Sequence, residues 1–241
     1  MKLTQPSVSI GAISVFLVLS APAYAFNFTT GTNLGDCGDI PLEKLSNNND
    51  LSVSTISTCT TADGITLSTN GGVLSLKEVN GTKGVGIYDD LHPNGSLQEI
   101  DFGETLTLST ATPSIWKSID ISFLYQEGAF GDVVDEVATI KAGGITGTLS
   151  VLGTDSAEWS WNGFTQILSG NATSSGGGAF SILNPFGDTK VSTVTLTSTQ
   201  DGNYIYSDFA VTGATVPEPS LLIGLSTLGV VMTVLTAKTK E

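Results

Sequence analysis

The sequence predicts an all-β fold, an antiparallel β-sandwich of jelly-roll type, flanked by an N-terminal signal helix and a single C-terminal transmembrane helix. Three observations carry that expectation. Apolar and polar residues alternate with period two: Ile119, Ile121, Phe123 and Tyr125 against Ser118, Asp120 and Ser122, and Val194 and Leu196 against Thr193, Thr195 and Thr197. Such a pattern puts one side of an extended strand in a core and the other in water. Turn pairs punctuate the chain at short intervals, among them Asp63-Gly64, Asn70-Gly71-Gly72, Asn80-Gly81, Asn94-Gly95 and Asp201-Gly202. The composition, 40% hydrophobic and only 13% charged, with 28 glycines, suits short strands and tight turns better than helices.

Taken in order, the elements begin with a targeting segment. Lys2 precedes an apolar run over residues 8–19, and Ala21-Pro22-Ala23-Tyr24-Ala25 follows. Small residues at Ala23 and Ala25 satisfy the A-x-A rule of signal peptidase, so cleavage before Phe26 is expected and residues 1–25 are set aside as a signal peptide. The run is too short to span a bilayer well, which favours a removed signal over a permanent anchor. The ectodomain is then residues 26–212, ample for a core of its own.

Cys37 and Cys59 are the only cysteines and both fall early in the mature chain. In an oxidising compartment two such residues pair, and closing a loop of this length stabilises by about 3 kcal/mol in the chain-entropy description. Beyond them, strands are expected over residues 52–58, 65–69, 73–79, 104–110, 119–125, 137–141, 146–152, 164–168, 179–183, 193–197 and 204–212. The Gly/Ser-rich stretch 170–178 reads as a surface loop, because strand patterns continue on both sides of it.

Net charge and residue choice exclude some partners. The formal charge is −14, and every basic residue is lysine. Without arginine to fork onto phosphate or base edges, nucleic acid is excluded as a partner. The densest set of hard oxygen donors is Asp89, Asp90, Asn94, Glu99, Asp101 and Glu104, with Asp208, Asp132 and Asp135 available if the fold brings them near. Calcium takes six to eight such oxygens, so Asp89, Asp90, Glu99, Asp101, Glu104 and Asp208 are the candidate calcium ligands. A solvated acidic loop accounts for the same residues, since their spacing is not that of a helix-loop-helix calcium site.

Trp159 and Trp161 are two residues apart and share one face of any strand they lie on, an arrangement that stacks on pyranose rings when exposed and packs a core when not. They are the candidate carbohydrate residues. Catalysis has little support. The sole histidine, His92, precedes Pro93 in a turn-like context, and neither a nucleophile elbow, a zinc spacing nor a phosphate loop is present. Glu99 with Asp101 or Glu104 is the one carboxylate pairing a glycosidase-like hydrolase would use.

The chain closes with Val216-Pro217-Glu218-Pro219-Ser220, an uncharged apolar stretch over residues 221–237, and Lys238-Thr239-Lys240-Glu241. The seventeen residues of this stretch, at about 1.5 Å each, just cross a hydrocarbon core, and the lysines beyond them are expected to hold the C-terminus in the cytoplasm. Residues 213–220 read as a linker bearing Pro217-Glu218-Pro219, residues 221–237 as a transmembrane helix, and residues 238–241 as a basic tail. Two prolines flanking one residue keep the backbone extended, a stiff handle above the membrane.

This ending resembles the PEP-CTERM sorting signal of exported bacterial proteins, the usual arginines of the tail being replaced here by lysine. The resemblance implies recognition at Pro217, Glu218 and Pro219 by exosortase, a membrane-embedded cysteine transpeptidase, and association with extracellular polysaccharide and matrix. Residues 84–87, 99–101 and 104–108 also resemble a run common in one group of these ectodomains, and Tyr206-Ser207-Asp208-Phe209-Ala210-Val211 is similar to the last strand of many sugar-binding jelly rolls. The expectation is an exported surface or matrix protein, non-catalytic and carbohydrate-associated, met in processing by signal peptidase and exosortase. An extracellular hydrolase and a plain structural spacer are the alternatives.

Overall fold

The computed structural model describes residues 23–42, 54–88, 98–129, 133–172, 177–198 and 207–217. In chain order the strands are β1 (Ala23–Asn27), β2 (Thr58–Thr60), β3 (Thr66–Asn70), β4 (Val73–Val79), β5 (Thr82–Tyr88), β6 (Thr105–Ser114), β7 (Ser118–Leu124) and β8 (Val137–Ala142). They continue with β9 (Ile145–Gly153), β10 (Ser156–Trp161), β11 (Phe164–Ser169), β12 (Asn171–Ala172), β13 (Gly178–Leu183), β14 (Val191–Ser198) and β15 (Ala210–Pro217). A short 3-10 turn over Gly35–Asp39 is the only helical element among the described residues.

The strands make two antiparallel sheets, consistent with the expected β-sandwich. One runs β12-β13-β7-β15-β5-β4, with β1 on β15; the other runs β11-β10-β9-β8-β14-β6-β3-β2. Period-two alternation is what closes the core between them. β10 alternates strictly, with Ala157, Trp159 and Trp161 buried, and β14 buries Val191, Val194, Leu196 and Ser198. A single cluster joins residues of both sheets, from Leu67, Leu106 and Leu108 on one to Ile87, Ile119 and Val211 on the other. Trp116 is wholly buried, and its indole N–H donates to the Val191 carbonyl at 3.1 Å, so the largest core side chain leaves no polar atom unsatisfied.

β15 is the pivot of its sheet. On one side it pairs with β7, and on the other first with β5 at Val211↔Val85 and then with β1 from Asn27↔Gly213 to Ala23↔Pro217. The register against β7 slips by one residue between Val211 and Gly213, leaving Thr212 as the extra residue. Its hydroxyl, on that bulge, hydrogen-bonds Ser122 Oγ at 2.7 Å in the interior.

Several sequence boundaries need correction: of the described part of the strand expected over 52–58 only Thr58 is strand, that expected over 204–212 is strand from Ala210 on, and the expected loop 170–178 holds the short β12. The stretch from Gly213 to Pro217, expected as linker, is strand, because Ala214 and Val216 are buried and the strand has partners to both sides as far as Thr215. Ala23–Ala25, expected to belong wholly to the signal peptide, begin β1. The rest of the expected signal helix, Glu218, Pro219, the 221–237 span and the tail lie outside the described residues. Among the described residues no helix is long and apolar enough to cross a membrane.

The expected disulfide is present: Cys37 in the 3-10 turn joins Cys59 on β2 with Cα atoms 5.1 Å apart, and both residues are buried. It ties the segment after β1 to the edge of the opposite sheet. Replacing both cysteines by alanine, or reducing the bridge, is expected to cost about 3 kcal/mol of unfolding free energy from the freed 22-residue separation. Denaturant titration of the oxidised and reduced protein measures it, and equal midpoints would contradict the bridge's role.

Candidate functional site

Two places gather the residues singled out in the sequence. The first is an open cleft at the edge of the two sheets. The β10–β11 hairpin turns through Asn162 and Gly163, at φ 48° and 81°, the pairing of positive φ values that a two-residue hairpin turn requires. That turn sets Phe164 opposite Trp161 and Gln166 opposite Trp159, so all four lie on the inward side of the sheet. β11 is the last strand there, and the other sheet covers Leu168 but leaves Phe164 78% exposed.

Facing them, the chain leaves β13 through Asn184, at φ 48°, into Pro185 and Gly187. A cavity of about 310 Å³ is lined by Trp159, Trp161, Phe164, Thr165, Gln166, Asn184, Pro185 and Gly187. All eight lining residues are uncharged. Aromatic and proline surface with two side-chain amides and a hydroxyl is the composition that holds a neutral, hydroxyl-rich ring: apolar C–H faces on the rings, hydroxyls on the amides.

Of the two outcomes expected for Trp159 and Trp161 the structure gives core packing, both belonging to the hydrophobic core. Both rings are buried, stacked on each other at 6.2 Å and 11°, and Trp161 packs on Phe186 at 4.8 Å. They form the floor of the cleft rather than an exposed platform. Gly147 on the neighbouring β9 makes this possible, since a Cβ there would stand 2.5 Å from the Trp159 ring and 2.8 Å from that of Trp161. Sequence reading missed Phe164, Gln166, Asn184 and Pro185. Phe164 carried a signal in the Asn162-Gly163 pair just before it, and Asn184-Pro185 is itself a turn dipeptide.

The second place is an acidic pole where β5 ends and β15 begins. Gly86 lets the 98–99 backbone lie against β5, for a Cβ there would meet the Gln98 carbonyl at 2.3 Å. Glu99 thereby bridges to Ile87, and Ile100 N–H donates to the Phe209 carbonyl at 2.7 Å. Glu99, Asp101, Glu104 and Glu136 are all buried. Glu104 accepts the Asp101 amide at 2.8 Å, closing the 101–104 turn, and Glu136 accepts the Tyr125 amide at 2.6 Å and the Asp208 amide at 3.4 Å. Lys77 from β4 forms an ion pair with Glu99 and sits 5.0 Å from the Phe123 ring centre and 5.6 Å from that of Tyr125. Phe123 holds φ at 64°, an unusual conformation for a bulky residue, which the surrounding packing must enforce.

Of the expected calcium ligands, Glu99, Asp101 and Asp208 come within electrostatic reach of one another. Asp89 and Asp90 lie outside the described residues, as do Asn94 and Asp132, while Asp135 accepts the Glu127 amide at 2.9 Å. Among the described residues no three acidic, histidine or cysteine side chains are arranged to hold a metal ion, and Lys77 supplies the positive charge beside Glu99.

Burial first, and then the charges of Glu99 and Asp101, raise the Asp208 carboxyl well above the ordinary carboxylate range, against the smaller opposing effects of Lys77 and a hydrogen bond with Glu136. The folded state thus binds this proton more tightly than the unfolded chain does. Stability from this group is full below the unfolded pKa and falls as pH rises toward the folded one. In metal-free buffer Asp208→Asn should melt higher than the wild type at pH 7, by roughly 2–4 °C for each kcal/mol relieved, and the two should converge near about pH 3. A lower melting point for the variant at pH 7 would contradict the burial argument.

No family model matches the chain, and no curated protein sequence or solved structure does either.

Proposed function

We propose that this is an exported, non-catalytic cell-surface or extracellular-matrix protein whose jelly-roll-type sandwich holds a neutral polysaccharide in the cleft between β11 and the turn after β13. The observation that carries the reading is the lining of that cleft: a stacked tryptophan floor, an exposed Phe164 and the Gln166 and Asn184 amides, with no charged side chain among them. Export is supported by the buried Cys37–Cys59 bridge, which suits an oxidising compartment, together with the A-x-A site and the Pro217-Glu218-Pro219 ending. On this reading signal peptidase removes residues 1–25, the 221–237 helix anchors the chain briefly, and exosortase acts at the Pro-Glu-Pro signal.

The hydrolase alternative draws less support. Glu99 and Glu104 are buried and engaged, by Lys77 and by the Asp101 amide, and among the described residues no carboxylate lines the cleft. A spacer module is what remains if the cleft takes no ligand.

Affinity electrophoresis through gels containing neutral polysaccharides tests the proposal. The wild type should be retarded by at least one of them, and Phe164→Ala, a change at a largely exposed ring, should weaken retardation about tenfold while leaving the melting temperature alone. Free migration of the wild type through a panel of neutral and acidic glycans would leave the spacer reading in its place.

A further inference from the structure

One face of the β4–β5 hairpin carries a track without side chains. The register sets Ser75 opposite Gly86 and Lys77 opposite Gly84, so both glycines of β5 share a face with Lys77. A Cβ on Gly84 would stand 2.7 Å from the Ala210 Cβ and 2.9 Å from Ser122 Oγ, and one on Gly86 would overlap the Glu99 backbone. β4 is the last strand of its sheet, yet this bare track lets the Lys77 side chain lie inward across β5. There its Nζ meets the Glu99 carboxylate, beside the Phe123 and Tyr125 rings.

The two reacting groups are unequally covered but both withdrawn from solvent. The Lys77 side chain is 19% exposed and that of Glu99 only 1%. Oε2 of Glu99 is the atom paired with Nζ, while Oε1 is buried and accepts no hydrogen bond among the described residues. An amine held against a carboxyl group, walled by aromatic rings and largely shut from water, presents the two reactants of an amide.

We propose that Lys77 and Glu99 condense into an intramolecular isopeptide bond, a covalent modification that staples the edge strand β4 to the segment leading into β6. The reading is independent of what the cleft holds and of processing at either end of the chain.

The step balances without any further reagent. Once the ammonium has given up a proton, the Nζ lone pair adds to Glu99 Cδ; the Nζ–Cδ bond forms, one Cδ–Oε bond breaks, and that oxygen departs as water with two of the three ammonium hydrogens. Nothing is oxidised or reduced. The carboxyl groups of Asp101 and Asp208 belong to the same pole, Asp208 being within electrostatic reach of Glu99, Asp101 and Lys77, and they can carry protons from the nitrogen to the leaving oxygen. With two such groups at hand, neither is indispensable.

In water this condensation is opposed by the hydration of the two ions. Here the fold has already stripped most of that hydration from Glu99, and the product amide is neutral, so burial that penalises the ion pair favours the bond. Holding the two groups in contact removes the entropic cost of bringing them together. The link closes a separation of 22 residues around the β4–β5 hairpin. It would hold an edge strand at the acidic pole by a covalent bond, where Cys37–Cys59 holds the 3-10 turn to β2.

The test takes the purified full-length protein, reduces and denatures it, and digests it with trypsin, which does not cut after a lysine whose amine is in amide linkage. The wild type should yield residues 45–83 joined to residues 84–117, lighter than the two together by one water, with fragmentation placing the join at Lys77 and Glu99. Lys77→Arg, which keeps a cation for Glu99, should lose the joined species entirely; Lys77→Met serves if the arginine variant does not fold. Recovery of 45–77 and 84–117 as separate peptides from the wild type would overturn the inference and leave an ordinary ion pair. A joined species that persists in the Lys77 variants would overturn it too, since the link would then lie elsewhere.

Discussion

The fold hangs on the pairing of β15 with neighbours on both of its sides. Its residues Val211, Ala214 and Val216 belong to the core, as does Phe209 just before it, and β7 on one side and β5 followed by β1 on the other satisfy its backbone. A backbone group buried without a partner costs about as much as a lost hydrogen bond, so a central strand has to be bonded on both flanks. That requirement explains why β1 is present at all. β5 is paired with β15 only at Val211↔Val85, and without β1 the lower half of β15 would face nothing on that side.

The same strand separates the molecule's two poles. Asp208 stands two residues before its first and Pro217 is its last, about nine steps of roughly 3.3 Å apart. The acidic pole and the end where β1 begins and β15 finishes therefore lie at opposite ends of the sheet. Burying Glu99, Asp101 and Glu136 beside the half-buried Asp208 is costly unless charge is removed or matched; Lys77 opposes Glu99, and the site raises the Asp208 carboxyl above its ordinary range. The cleft is independent of this pole. It exists because β11 extends the second sheet beyond the cover that β13 provides, leaving Phe164 and Gln166 exposed on an inward face, across from Asn184 and Pro185.

Much of this was legible in residue order. The strand expected at 73–79 agrees with β4 to the residue, and those at 119–125, 137–141, 164–168 and 179–183 agree with β7, β8, β11 and β13 within one residue at either end, because period-two alternation and Gly-bearing turns bound them. The sheets and the disulfide followed from the same local chemistry. β5 was harder to see: Thr-Lys-Gly-Val-Gly-Ile-Tyr carries two glycines that weaken strand propensity, and Gly86 is there for the approach of residue 98, a contact invisible in local sequence. β1 was hidden by the signal peptide reading, since a cleavage motif and a strand share the same small, extended residues.

The site residues were legible in type but not in role. Trp159 and Trp161 were rightly placed on one face, yet whether that face is open depends on how far the opposite sheet reaches. Glu99, Asp101 and Asp208 were rightly grouped, but the lysine that sits with them comes from β4, 22 residues before Glu99, and only pairing of β4 with β5 brings it there.

Hydrogen exchange along β15 tests the central claim most directly. Amides of residues 210–214 should be among the slowest in the protein, exchanging only through global unfolding, while those of the edge strand β11 exchange far sooner. Exchange of 210–214 at the rate of β11 would mean that β15 is not held on both sides, and the account built on it would fall.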